Sequence, residues 1–172
     1  MVIHTNPWNM RILTMLLFSN MILLASCGGQ TKGTPDQGIT DSKVISRSEA
    51  EWKEMLTPEQ FHILREKGTD RPFTGKYYKT NDEGVYSCAA CGNELFTSDM
   101  KFDSDCGWPS FDKALEGGKI KTAVDRSYGM IRTEIMCARC GGHLGHLFED
   151  GPTETGLRYC VNSTSLNFVR EK

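Results

Sequence analysis

Apolar residues change their spacing twice along the chain. They dominate over 12–25, interrupted by Ser19 and Asn20 among others, thin out over 28–46, and return after Ser48 at helical and then strand spacing. Ser48-Glu49-Ala50-Glu51 sets Ser and Glu at the interval of a capping box, and Trp52, Met55 and Leu56 follow at helical spacing, which predicts a short helix. Thr57-Pro58-Glu59-Gln60 repeats the logic. Thr57 can cap, Pro58 suits the first helical position, Phe61 and Leu64 share a face, and Gly68 can end the helix. The two helices read as a brace packed on the core, with no catalytic part for His62.

From Thr74 onward the helical period fades. Short runs of β-formers separated by Gly, Asn and Asp predict strands over 76–79, 84–88, 94–96, 119–124, 129–136, 157–162 and 166–169. Over 130–136 the alternation sets Ile131, Thr133 and Ile135 on one face and Arg132 and Glu134 on the other, as a half-buried strand requires. The expected fold class is mainly β, built of small antiparallel sheets preceded by two short helices.

The chain has 172 residues, 38% of them hydrophobic and 24% charged, enough for one compact domain with modest extensions. Lys and Arg number 20 against 22 Asp and Glu, so no excess of positive charge draws in a phosphate backbone, and nucleic acid is not an expected partner.

The first ten residues hold no acid, Arg11 is the first strong base, and the apolar run ends in Leu24-Ala25-Ser26-Cys27. That run is shorter than the ~20 residues that span a bilayer, and its order of regions is that of a cleaved signal peptide. A Leu, small residues and then Cys resembles the bacterial lipobox, in which the Cys is lipidated and becomes the first residue. The alternatives are a soluble secreted protein cut near the same small residues and an uncleaved anchor. The organisation expected is a lipoprotein signal peptide over 1–26, a lipid-anchored flexible tether over 27–46 with Cys27 as the anchor, and a working domain over 47–172. Gly28 supplies no inner-membrane retention signal of the Asp kind. The expected location is the bacterial cell envelope, on the periplasmic or outer-membrane side.

Six further cysteines carry the chemistry. Cys88-Ala89-Ala90-Cys91-Gly92 and Cys137-Ala138-Arg139-Cys140-Gly141 share the pattern Cys-x-x-Cys-Gly. Two intervening residues let a tight turn aim both sulfurs at one ion, and the Gly relieves steric restriction where the turn exits. Cys88, Cys91, Cys137 and Cys140 therefore read as a closed shell for one structural Zn2+ that staples two distant segments. Two local disulfides or a thioredoxin-like redox pair are the alternatives in an oxidising compartment. Zinc ribbons also occur in binding modules, so a non-catalytic zinc-ribbon module at the cell envelope is the competing functional class. Cys106 and Cys160 remain, either as an attacking and a resolving thiol or as a structural disulfide or two inert buried thiols. Cys160 follows Arg158, and a positive or hydrogen-bonding neighbour, with the 143–146 segment a candidate, lowers a thiol pKa.

Several separate motifs then coincide in order: Arg71-Pro72-Phe73-Thr74-Gly75-Lys76-Tyr77, Cys106-Gly107-Trp108-Pro109-Ser110-Phe111, His143-Leu144-Gly145-His146-Leu147-Phe148 with Asp150-Gly151-Pro152, and Gly156-Leu157-Arg158-Tyr159-Cys160-Val161-Asn162-Ser163. Over roughly 48–170 the chain resembles the peptide-methionine (R)-S-oxide reductase family, MsrB, in its metal-containing form. The resemblance implies a β-rich domain with the zinc away from the active site. It implies reduction of peptide- or protein-bound methionine (R)-sulfoxide, with Cys160 as nucleophile, Cys106 as resolving cysteine, and Trp108, His146 and Asn162 in the active site.

On that reading Cys160 becomes a sulfenic acid and Cys106 condenses with it to a disulfide, which a thioredoxin-like dithiol must reopen because no flavin or nicotinamide fingerprint is present. Trp108 offers an apolar face to the methyl group, where the alternative is a plain core aromatic. His146 serves as acid or base, where the alternatives are a satisfied structural histidine or a zinc ligand; His143 is read as structural. Asn162 orients water or His146. Asp105 stands where many members have Gly, and Thr164 where many have Ala. Asp105 beside Cys106 is expected to raise that thiol's pKa by like-charge repulsion. A lipid-tethered member would repair oxidised methionines of exported proteins under oxidative stress.

Overall fold

The computed structural model describes residues 44–171, so the leader, most of the tether and Cys27 lie outside the described residues. Ser48 and Thr57 cap α1 (Glu49–Met55) and α2 (Pro58–Leu64) through full capping boxes. Each hydroxyl accepts the third-position amide and the side chain of Glu51 or Gln60 accepts the cap's own amide, satisfying donors that have no partner within the helix. α1 buries Trp52 and α2 buries Ile63 and Leu64, while Met55 stands exposed. The chain leaves α2 through Lys67 in the left-handed region at φ 59°, rather than through a left-handed Gly68. That position is uncommon for a long side chain, and here the Lys67 ammonium is held on Glu134 at 2.7 Å.

Nine strands follow among the described residues: β1 (Gly84–Cys88), β2 (Glu94–Thr97), β3 (Lys101–Phe102), β4 (Ser110–Phe111), β5 (Ile120–Asp125), β6 (Arg132–Cys137), β7 (His143–Phe148), β8 (Arg158–Val161) and β9 (Leu166–Arg170). They form a three-stranded sheet, β2-β1-β9, and a six-stranded sheet, β3-β4-β8-β7-β6-β5, with every pairing antiparallel. The core between them is aromatic. Phe96 stacks on Phe111 with ring centres 4.1 Å apart, and Tyr86 meets Phe111 and Phe168 at 5.1 and 4.7 Å. The mainly β architecture behind two short helices is the expected one.

Three local expectations fail for tertiary reasons. Residues 76–79 form a turn, because Tyr77 is drawn into the core edge-on to Tyr86 and its amide donates to the Ser163 hydroxyl at 3.2 Å. β7 had no strand signal, since it is His-rich with a glycine inside, and β3 and β4 are two residues long. β6 departs from the expected alternation: Thr133 is exposed while Glu134 and Ile135, adjacent, are both buried, and Ile131, just before the strand, is 74% exposed, whereas Glu134 is 3% exposed between Lys67 and His143.

Register places the site. Phe102, Ser110, Cys160, His146, Glu134 and Ala123 are successive cross-strand partners in one row across the six-stranded sheet. Directly paired residues point to the same face, so the ladder sets Cys160 beside His146 and Glu134.

Candidate active site and metal centre

Both Cys-x-x-Cys-Gly segments are tight turns. The Gly92 amide donates to the Cys88 carbonyl and the Gly141 amide to that of Cys137, each at 2.8 Å. Gly92 and Gly141 sit at φ 70° and 74°, a backbone that only glycine adopts without strain, which is the local reason for the fifth residue of the pattern. The four Sγ atoms lie within 4.8 Å of one another, with Cys88 to Cys140 at 3.7 Å and Cys91 to Cys137 at 3.6 Å. A tetrahedral ion with Zn–S bonds of ~2.3 Å needs sulfurs about 3.8 Å apart, close to both of these separations, so the cluster is of the size such an ion takes. Asn93, which sequence reading missed, donates to the Cys137 sulfur at 3.5 Å and to the Lys119 carbonyl at 3.2 Å. α2 reaches the cluster through Arg65, which donates to the Cys140 carbonyl at 3.2 Å.

Cys160 lies on β8 and Cys106 in the loop between β3 and β4, their sulfurs 3.8 Å apart. Both thiols are free and half-buried. The structure therefore brings together the two cysteines left over from the metal pattern. Hydrogen bonding from Cys160, opposed by burial and reinforced by the hydroxyls of Ser104 and Ser110, pulls the Cys106 thiol down to about 4. The net direction is opposite to the rise expected from Asp105: these donors outweigh any effect of that exposed carboxylate. The Cys160 thiol is pushed up by the bond it gives to Cys106 and by burial, with Arg158 pulling the other way.

A small cavity of about 90 Å³ opens beside Cys160, lined among others by Thr69, Trp108, Arg132, His146 and Asn162. None of the four clustered cysteines lines it. The Trp108 indole donates to the Asp70 carbonyl at 2.9 Å, which fixes the ring at the cavity wall. Asn162 is committed to backbone groups: its Oδ1 accepts from the Asp70 amide at 2.9 Å and its Nδ2 donates to the Leu144 carbonyl at 3.2 Å. It ties three segments together and makes no bond to His146. Asp70 also accepts from the Thr164 amide at 3.0 Å, making the 69–71 segment part of the scaffold.

The two histidines are held by different acids. His143 is buried, with Nδ1 on Glu134 at 2.8 Å; burial lowers its pKa against the pull of Glu134. Burial works against the Glu134 carboxylate too, but Lys67 and then His143 outweigh it and hold that group below the usual range. His146 Nε2 meets Asp125 Oδ2 at 2.8 Å, and neither histidine belongs to the cysteine cluster. Asp125, Arg132, Glu134 and Asp70 were not singled out from sequence as site residues. The alternation in β6 was the one signal that set Arg132 and Glu134 on a shared face.

The SelR domain family matches residues 56–170 of this chain. The peptide methionine sulfoxide reductase MsrB of Methanosarcina barkeri is 57% identical over 130 residues, 76% of this chain and 92% of that protein. The proteins of the same name from Agrobacterium fabrum and Leptospira interrogans are each 56% identical over 127 residues, 74% of this chain and 94% and 97% of theirs. Among solved structures, the crystal structure of the Mis18 'Yippee-like' domain aligns at a TM-score of 0.43 and 17% identity, over 52% of this chain and 98% of that one, too distant to bear on the site.

Proposed function

The chain belongs to the peptide methionine sulfoxide reductase MsrB family, and from that membership we infer that it reduces the R epimer of methionine sulfoxide in peptides and proteins to methionine. The observation that carries the reading to particular residues is the sulfur pair, with Cys160 at the cavity beside Trp108 and His146, and Cys106 3.8 Å away. Attack is assigned to Cys160 because it is the thiol among the cavity's lining residues.

The opposed shifts of the two thiols, Cys106 down and Cys160 up, favour a resting pair in which Cys160 keeps the shared proton. Attack begins as that proton crosses to Cys106, leaving the thiolate on Cys160, where Arg158 stabilises it. Arg158 is itself held by two 2.8 Å bonds to Asp150. The Cys160 thiolate bonds to the sulfoxide sulfur, while Trp108 receives the methyl group, a sulfur–aromatic contact of ~0.3–1.5 kcal/mol. His146 donates a proton to the oxygen, help of a kind that contributes ~10²–10⁴ in rate. The oxygen passes to Cys160, so two-electron reduction of the sulfoxide is matched by oxidation of the thiolate to sulfenic acid, and methionine leaves. The Cys106 sulfur then attacks that sulfenic acid, forming the disulfide and releasing water. A thioredoxin-like dithiol reduces the disulfide and returns both thiols.

Cys88, Cys91, Cys137 and Cys140 would hold a zinc ion. Four thiolates leave no place for water, so the ion would be structural. The order of charge, apolar run and Leu24-Ala25-Ser26-Cys27 supports a lipid anchor on Cys27 at the cell envelope. Labelling with a fatty-acid analogue should mark the intact chain and not Cys27→Ala; equal labelling of both removes the anchor.

The activity is tested on separated R and S epimers of peptide-bound methionine sulfoxide. With dithiothreitol, the R epimer alone is consumed, and Cys160→Ser consumes neither. With thioredoxin, Cys106→Ser completes one turnover per enzyme and stops; sustained turnover by that variant would take the resolving role away from Cys106.

A further inference from the structure

Asp125, the last residue of β5, is bonded from three directions. Its Oδ1 accepts the Ser127 amide at 2.9 Å, and its Oδ2 accepts Arg132 Nη2 at 2.6 Å and meets His146 Nε2 at 2.8 Å. Arg132 is also its direct cross-strand partner and lines the cavity. The group is therefore clamped by backbone, ladder and ion pair together, with its side chain 16% exposed. Glu134, the other carboxylate beside the histidines, is committed to Lys67 at 2.7 Å and His143 at 2.8 Å. Among the described residues Asp125 is the acid that bonds the His146 ring.

A carboxylate accepts hydrogen bonds and gives none, so the nitrogen facing it carries the hydrogen. His146 Nε2 is then a fixed donor to Asp125, and Nδ1 is the nitrogen that exchanges a proton.

We propose that Asp125 is a positioning residue for the sulfoxide reduction: its carboxylate fixes the ring of His146 and the tautomer in which Nδ1 serves the substrate oxygen. The proposal rests on the reading of His146 as proton donor. An Asn at this position removes the charge and leaves one acceptor oxygen where Ser127, Arg132 and Nε2 together need two, so the hold on the ring and on its tautomer is loosened.

The test is a double-mutant cycle on the zinc-loaded protein with Asp125→Asn, His146→Gln and both together, measured with the R epimer and dithiothreitol. Asp125→Asn is expected to lower kcat by about 10–100-fold, part of what proton transfer contributes, with KM little changed. It is expected to cost nothing more once His146 is Gln, because residues that act through one another are not additive. Independent, multiplying losses would overturn the proposal. So would full activity of Asp125→Asn beside a crippled His146→Gln, although the reading of His146 would stand. Full activity of His146→Gln would overturn that reading itself, and the positioning role with it. Should Asp125→Asn fail to fold, nitrogen-15 spectra of the unsubstituted protein decide: neutral His146 protonated on Nε2 supports the proposal, and protonation on Nδ1 overturns it.

Discussion

Between Cys106 and Cys160 one proton serves two sulfurs, and their reactivity toward alkylating agents follows from where it sits. The Cys106 thiol is pulled to about 4, so it is a thiolate throughout pH 5–8, and its alkylation by iodoacetamide should be nearly flat over that interval. In Cys160→Ala the largest cause of the depression is gone. The pKa rises, and the rate at pH 5 should fall well below that at pH 8. Peptide mapping identifies which thiol reacts. A rate in the intact protein that climbs about tenfold per unit through pH 6–8, as for an ordinary thiol of pKa ~8.5, would place the charge elsewhere. The cysteines were legible in sequence because metal and redox chemistry demand that residue type at set intervals. Asp125 and Glu134 were not, since an acid on a strand reads the same whether it faces solvent or a buried histidine.

β7 and β8 carry His146 and Cys160, and at Gly145 the paired backbones leave no room for a side chain. A Cβ there would lie 2.0 Å from the Cys160 carbonyl oxygen, a backbone atom that moves only if the strand moves. Gly145→Ala should therefore push β8 off β7 and lower stability by about 1–3 kcal/mol in urea unfolding, the usual cost of overpacking. Activity should fall further than stability, because the displaced segment holds the nucleophile against its histidine. A variant with wild-type kcat and an unchanged midpoint would show that the two strands are not held so tightly. Helices, with their caps and period, were readable to the residue at Ser48 and Thr57. β7 was invisible, since its histidines serve the site and its glycine serves the close approach, leaving few β-formers to signal a strand.

The four-cysteine cluster joins the turn after β1 to the β6–β7 turn, and so ties the three-stranded sheet to the six-stranded one. One zinc per chain is expected by elemental analysis. Its removal under reducing conditions, or Cys140→Ser, should lower the melting temperature by about 10 °C or more, since binding of a structural ion is folding free energy. Because none of its ligands lines the cavity, whatever fraction stays folded should keep its preference for the R epimer. Full retention of both zinc and melting temperature in Cys140→Ser would remove that residue from the shell. Chain order alone specified the two capped helices, the metal knuckles with their exit glycines and the two surplus thiols, because each rests on contacts within a few residues or on a residue type with few other uses. The pairing of Cys106 with Cys160 was implied by the family resemblance, but their 3.8 Å approach, the burial of Glu134, the withdrawal of Tyr77 from a strand and the clamp of Asp125 on His146 came from strand register and packing between segments far apart in sequence. Such contacts depend on which face meets which neighbour, and no local pattern of residues encodes that.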